Sequence, residues 1–201
     1  MLTRFCFLLL SGTAQAICGS LNSPITVVLD FDQPYSNLSL AEMEREASSV
    51  LKGTGFTFDW KTQASIEPNA EFKSLLVFRM KGRCAMDPFR RLPIPELMDE
   101  RGPLGMAFVS DGQVLTFGEI ECDRVKQSVQ RVLPGIPSSN GDRLYGRALG
   151  RVAAHEMYHM LAGTRKHSKT GLTQSSLTAD ELISNRIDLV EPGTLNSRPK
   201  K

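Results

Sequence analysis

His155-Glu156-Met157-Tyr158-His159, continued by Met160-Leu161-Ala162-Gly163-Thr164-Arg165-Lys166-His167, is the stretch around which the chain is organised. On a helix of about 3.6 residues per turn, two histidines four residues apart project from the same face, one turn from each other. Two neutral imidazoles so placed make two arms of a metal site, which still needs a third protein ligand and an open position for water. A carboxylate beside the first histidine, here Glu156, stands where it can take a proton from that water. The chain has three histidines, and all of them lie in this segment.

The surrounding pattern predicts that the segment is helical. Ala148 and Val152 continue the His155/His159 face, and Gly146, Gly150, Ala153 and Ala154 are small enough to let a helix backbone lie close to a sheet. Gly163 is placed to end the helix as a left-handed residue, and Ser139, Asn140 or Asp142 to cap its start.

Upstream, Ile25 to Phe31 is a β-branched apolar run of strand length, placed centrally in a sheet. Ser39-Leu40-Ala41-Glu42 has capping-box spacing, and Leu40, Met43, Ala47, Val50 and Leu51 recur at helical intervals up to Gly53. Phe56, Phe58 and Trp60 alternate with polar residues as a half-buried strand, and Leu75 to Met80 forms another that runs on to Cys84. A Pro-rich surface loop from Ala85 to Pro103 precedes Gly105–Ser110 and Gln113–Ile120, which flank the hairpin dipeptide Asp111-Gly112. Val125, Val129, Val132 and Leu133 give a short helix from an Asp123 cap to Pro134, and a loop from Pro134 to Gly141 leads into the histidine helix. A last helix, from Leu177 to about Val190, opens with the capping-box spacing Thr178-Ala179-Asp180-Glu181.

The first sixteen residues read as a signal peptide: Arg4, an apolar core from Phe5 to Leu10, and Ala14-Gln15-Ala16 as a cleavage site. The mature domain then covers 17–190, with a polar tail over 191–201. Export predicts a secreted or periplasmic protein whose cysteines meet an oxidising compartment. Cys84 and Cys122 each end a strand-like run and are paired as a disulfide, which leaves Cys18 free or modified. The 201 residues suit one domain, and a net charge of +2 suggests no nucleic-acid partner. No apolar run is long enough for a membrane span.

The HExxH segment resembles the active-site helix of the zincin metallopeptidases, and the order of strand, helix, strands, hairpin and helix is similar to their N-terminal subdomain. Within that group it is metzincin-like, with a different spacing: Gly163 follows His159 by four residues and His167 by eight, giving HExxHxxxGxxxH. The resemblance implies zinc held by His155, His159 and His167, Glu156 as the general base, and a peptide or protein substrate. No methionine follows Met160, so the metzincin methionine turn has no counterpart, and no tyrosine or histidine follows His167 to steady a tetrahedral intermediate. Arg165, Lys169 or Arg186 would then assist. The rival third ligand is Glu181 or Asp180, as in gluzincins, or else one of these carboxylates accepts the second ring N–H of a ligating histidine. Cys122 with the two motif histidines resembles the peptide deformylase ligand set, which competes with the disulfide.

The expectation is an α+β (α/β) fold. It comprises one zincin-like domain with a mixed twisted sheet, an active-site helix and a small C-terminal helical part, working as a secreted zinc metallopeptidase with one Zn2+. The alternatives are an exported, non-catalytic zinc-binding protein and a zinc hydrolase of a non-peptide amide.

Overall fold

A computed structural model describes residues 23–86, 102–130, 132–133 and 138–189. The expected signal peptide, Cys18, most of the Pro-rich loop, the start of the loop from Pro134 and the expected polar tail fall outside these residues. The fold is mixed α+β in one domain, with five strands and four α-helices among the described residues. In chain order they are β1 (Ile25–Phe31), α1 (Asn37–Val50), β2 (Phe58–Thr62), β3 (Leu75–Lys81), β4 (Gly105–Ser110), β5 (Gln113–Glu121), α2 (Cys122–Gln130), α3 (Ser138–Ala162) and α4 (Ala179–Ile183).

The sheet order is β2-β1-β3-β5-β4, with β1, β2, β3 and β5 parallel and β4 antiparallel to β5 at the edge. Register explains the core. Leu29, Phe78 and Gly118 are cross-strand partners, as are Met80 and Ile120, so their side chains share one face. That face packs on Met43, Ala47 and Leu51 from the first helical segment, Leu149, Ala153 and Met157 of α3, and Val125 and Val129 of α2. β1 reads as a nearly continuous apolar run and is buried from Ile25 to Leu29, whereas β3 alternates, with Leu76, Phe78 and Met80 buried on the core face. The hairpin turn has Asp111 at φ 51° and Gly112 at φ 78°, the left-handed pair that Asp-Gly adopts readily in a two-residue loop.

Three local expectations are corrected. The cap of α1 is Ser36, whose hydroxyl accepts from the Ser39 amide at 3.3 Å. Ser39 is instead buried in the first turn, where its hydroxyl donates to the Asp142 carboxylate at 3.0 Å and so ties α1 to α3. Asp142 accordingly lies within α3, which starts at Ser138. The C-terminal helix has the capping box foreseen at Thr178 and Glu181 but stops at Ile183. Its continuation is pre-empted because Arg147 and Arg151 take the carbonyl oxygens of residues 183 and 184.

The third correction concerns the glycines. A Cβ on Gly146 would lie 2.4 Å from the Ser39 carbonyl oxygen, and one on Gly150 would lie 2.6 Å from that of Met43. The two glycines of α3 therefore admit α1 and not the sheet, on which Ala153 packs. Close approach to the sheet comes from strand glycines. A Cβ on Gly118 would meet Met160 Cε at 2.6 Å, and one on Gly105 would meet Val152 Cγ1 at 2.8 Å. Cys84 and Cys122 are joined by a disulfide that links the chain beyond β3 to the start of α2, which sets aside Cys122 as a metal ligand.

Candidate metal centre

Helix α3 carries His155, Glu156 and His159 on the face turned to β4 and to the segment that follows the helix. Gly163, at φ 59°, ends the helix, and the Thr164 amide donates back to the His159 carbonyl at 3.2 Å. The chain then folds back, so that the ring of His167 comes within 4.8 Å of His159 and 5.2 Å of His155, centroid to centroid. One ligand atom from each of the three histidines can be chosen so that all lie within 4.8 Å of one another. Three histidines so grouped can hold a metal ion.

The same returning segment fixes the rings. His155 Nδ1 lies 2.8 Å from the Leu172 carbonyl oxygen, and His159 Nδ1 lies 2.8 Å from that of Thr164. A carbonyl can only accept, so both Nδ1 atoms carry the hydrogen, and in the neutral rings both Nε2 atoms are bare lone pairs. Those two Nε2 atoms stand 3.0 Å apart. Two lone pairs at that separation repel unless a cation lies between them. Nitrogens bound tetrahedrally to one metal at 2.0–2.1 Å lie roughly 3.3 Å apart, close to this spacing. A proton is a poor substitute. Burial pushes His155 down to about 4, with the Leu172 carbonyl partly opposing and the neighbouring histidines adding to the fall. Burial also lowers His159, against the Thr164 carbonyl. Neutral imidazole is the form that binds metal.

Glu156 points into the same cleft and is buried. Its carboxyl is pushed up to about 7 by burial, while the backbone hydrogen bond from Ala107 on β4 acts the other way. A carboxylate tuned near neutrality can both take and return a proton. The cleft, about 680 Å³, runs along β4 from Leu104 to Val109, across the centre, and out past Thr164, Arg165 and the polar residues Gln174, Ser175 and Ser176.

Of the alternative ligands, neither Glu181 nor Asp180 is brought to the centre. Glu181 caps α4: its carboxylate accepts from the Thr178 amide and hydroxyl, each at 2.8 Å, and from Gln174 Nε2 at 2.9 Å. Main-chain carbonyls stand where carboxylate partners of the histidine rings were expected. Arg165 lines the cleft, whereas Lys169 and Arg186 do not. Sequence reasoning had no signal for Leu172 or Thr164, because their contribution is a carbonyl that every residue possesses. Ser175 and Ser176 offered only a polar pair next to a predicted helix. Comparison with protein-family models, curated proteins and solved structures returns no match for this chain, which leaves the centre to be interpreted from its own chemistry.

Proposed function

We propose that this protein is a zinc-dependent peptidase of zincin type. The observation that carries the reading is the convergence of three histidines with a buried carboxylate, all facing one open cleft. Three nitrogen donors suit zinc over the hard cations that prefer oxygen, and an adjoining cleft suits a catalytic site, which keeps one position open. Bound there, zinc supplies Lewis acidity, lowering the pKa of a water and polarising a carbonyl.

The chain's own groups do the rest. His155, His159 and His167 would hold the ion, and the carbonyls of Leu172 and Thr164 keep two of the rings in the required tautomer. Glu156 takes the proton of the attacking water and delivers it to the leaving amine, a cycle favoured by its raised pKa. Strand β4 lies at the sheet edge, and an extended peptide laid along it would gain main-chain hydrogen bonds beside the centre. The Cys84–Cys122 disulfide suits an oxidising, extracytoplasmic compartment.

The test is Glu156→Gln in protein beginning at Ile17 and loaded with zinc. Stoichiometric zinc with peptide cleavage reduced at least about 100-fold is expected, since general-base catalysis contributes on that order. Undiminished cleavage overturns the mechanism. Stoichiometric zinc in the parent with no cleavage of any peptide in a broad library overturns the peptidase reading and leaves a zinc-binding protein.

A further inference from the structure

The cleft around the centre has an uneven charge. Its lining includes Leu104, Met106, Ala107, Val109, Val152 and Leu177, and the formally charged side chains among the described lining residues are Glu156 and Arg165. Glu156 is buried at the centre, and Arg165 is exposed. Among the described residues Arg165 has no ion-pair or hydrogen-bond partner, in contrast to Arg45, Arg147 and Arg151, each held by a carboxylate.

The backbone beneath Arg165 is anchored on both sides. The Thr164 carbonyl is bound to the His159 ring at 2.8 Å, and the Lys166 amide donates to the Thr164 hydroxyl at 3.1 Å. The Arg165 side chain thus springs from a point fixed by the centre's own hydrogen bonds. One residue, Lys166, separates it from His167, so the two Cα atoms are at most about 7 Å apart. Lys166 and Lys169, close to Arg165 in the chain, are also exposed, so this stretch adds positive potential around the guanidinium that lines the cleft. A planar guanidinium left free beside an apolar wall is a receptor for a carboxylate, which it binds in a two-pronged fashion.

We propose that Arg165 is a specificity-determining residue that receives a carboxylate of the substrate, placed near the bond to be cut. This rests on the peptidase reading and adds the substrate class: peptides bearing an acidic side chain or a free C-terminal carboxylate. The arrangement also disfavours lysine or arginine at that place, because a second cation would face the first.

Binding to the zinc-loaded Glu156→Gln protein separates this proposal from catalysis. The probes are blocked hexapeptides, acetylated and amidated, that differ by one residue (Glu, Gln or Lys), together with the Gln peptide carrying a free C-terminus. Tighter binding of the Glu peptide over the Gln peptide, about tenfold at low salt and smaller at high salt, assigns a side-chain carboxylate. The same gain for the free C-terminus over its amide assigns a terminal one. In a second protein, Arg165→Glu, the preference should invert towards the Lys peptide, and Arg165→Lys should restore part of the original order. A loss of structure would weaken all four peptides alike and would not invert their ranking. Equal binding of the Glu, Gln and free-acid peptides to the Arg165 parent, or a ranking unmoved by Arg165→Glu, overturns the proposal. Failure of the parent to cleave any peptide bears only on the peptidase reading.

Discussion

Arg151 Nε donates to Glu46 Oε1 at 2.9 Å in the interior, joining α3 to α1 one helical turn before His155. The same guanidinium donates to the Glu181 and Ser184 carbonyls and to the Ser184 hydroxyl, so α4 is held as well. Replacing Arg151 by Met leaves the buried Glu46 carboxylate only the longer contact with Arg45, at 3.6 Å, and strands several acceptors at once. Loss of one partner of a buried pair destabilises by about 3–5 kcal/mol. Chemical denaturation should show this drop, and the double variant Glu46→Gln/Arg151→Met should recover part of it. An unchanged midpoint in Arg151→Met would contradict the buried pair.

His167 and Glu181 separate cleanly by metal content. His167→Ala should lose most of its zinc on dialysis against a mild chelator, because two imidazoles remain. Glu181→Ala should keep full zinc and lose stability through the helix cap, about 0.5–2 kcal/mol for typical cap losses. Elemental analysis after dialysis decides between them, and full zinc in His167→Ala would remove that residue from the ligand set.

Acid and base arms of the centre oppose each other in metal-stripped protein. His155 is lowered from 6.5 to about 4, so over that window the unfolded chain binds the extra proton and stability rises with pH. Glu156 is raised from 4.5 to about 7, so over that window the folded chain binds the extra proton and stability falls as pH rises. The contributions offset between pH 4.5 and 6.5. Glu156→Gln deletes the falling arm, and denaturation midpoints of the stripped variant should climb more steeply than those of the parent across this range. Parallel profiles would show that Glu156 has no such shift.

Gly150 tests the contact between α1 and α3. Its Cβ would meet the Met43 carbonyl at 2.6 Å, a main-chain atom that cannot swing aside, whereas nothing lies within 4 Å of a Cβ on Gly53. Gly150→Ala should destabilise by about 1–3 kcal/mol through overpacking, and Gly53→Ala should be close to neutral. Calorimetry of the pair supplies the check.

The disulfide spans 38 residues, for which loop-closure entropy gives roughly 4 kcal/mol of stabilisation. The double variant Cys84→Ala/Cys122→Ala should lose a comparable amount in denaturant titrations, and parity with the oxidised parent would refute the link.

What the sequence revealed depended on whether the cause was local. The β1 run, the Asp-Gly hairpin, the Gly163 stop and the Thr178 cap were legible because each is decided by its own side chains and dihedral needs. The role of Ser39 was misread because a distant partner, Asp142, draws its hydroxyl away from the helix end. The length of α4 was overestimated because arginines on another helix take its last carbonyls. Periodicity marked Gly146 and Gly150 as a close-contact face without saying that α1 would meet it. In the centre, histidine identity was visible, since imidazole is rare and spacing sets its direction. The ring partners were not, because a carbonyl has no residue type.

That last point sets what the segment from Thr164 to Leu172 can tolerate. Its contributions to His155 and His159 are main-chain oxygens, so side-chain identity at both positions can change while the acceptors stay in place, provided Leu172 is replaced by a residue that fills the same buried space and Thr164 by one that keeps the hydroxyl bound by the Lys166 amide. A deletion or insertion within it would shift two ring orientations and the position of His167 in a single event. The centre is therefore tolerant of spelling and intolerant of metre: its ruler is the count of peptide units between the helix stop and Leu172.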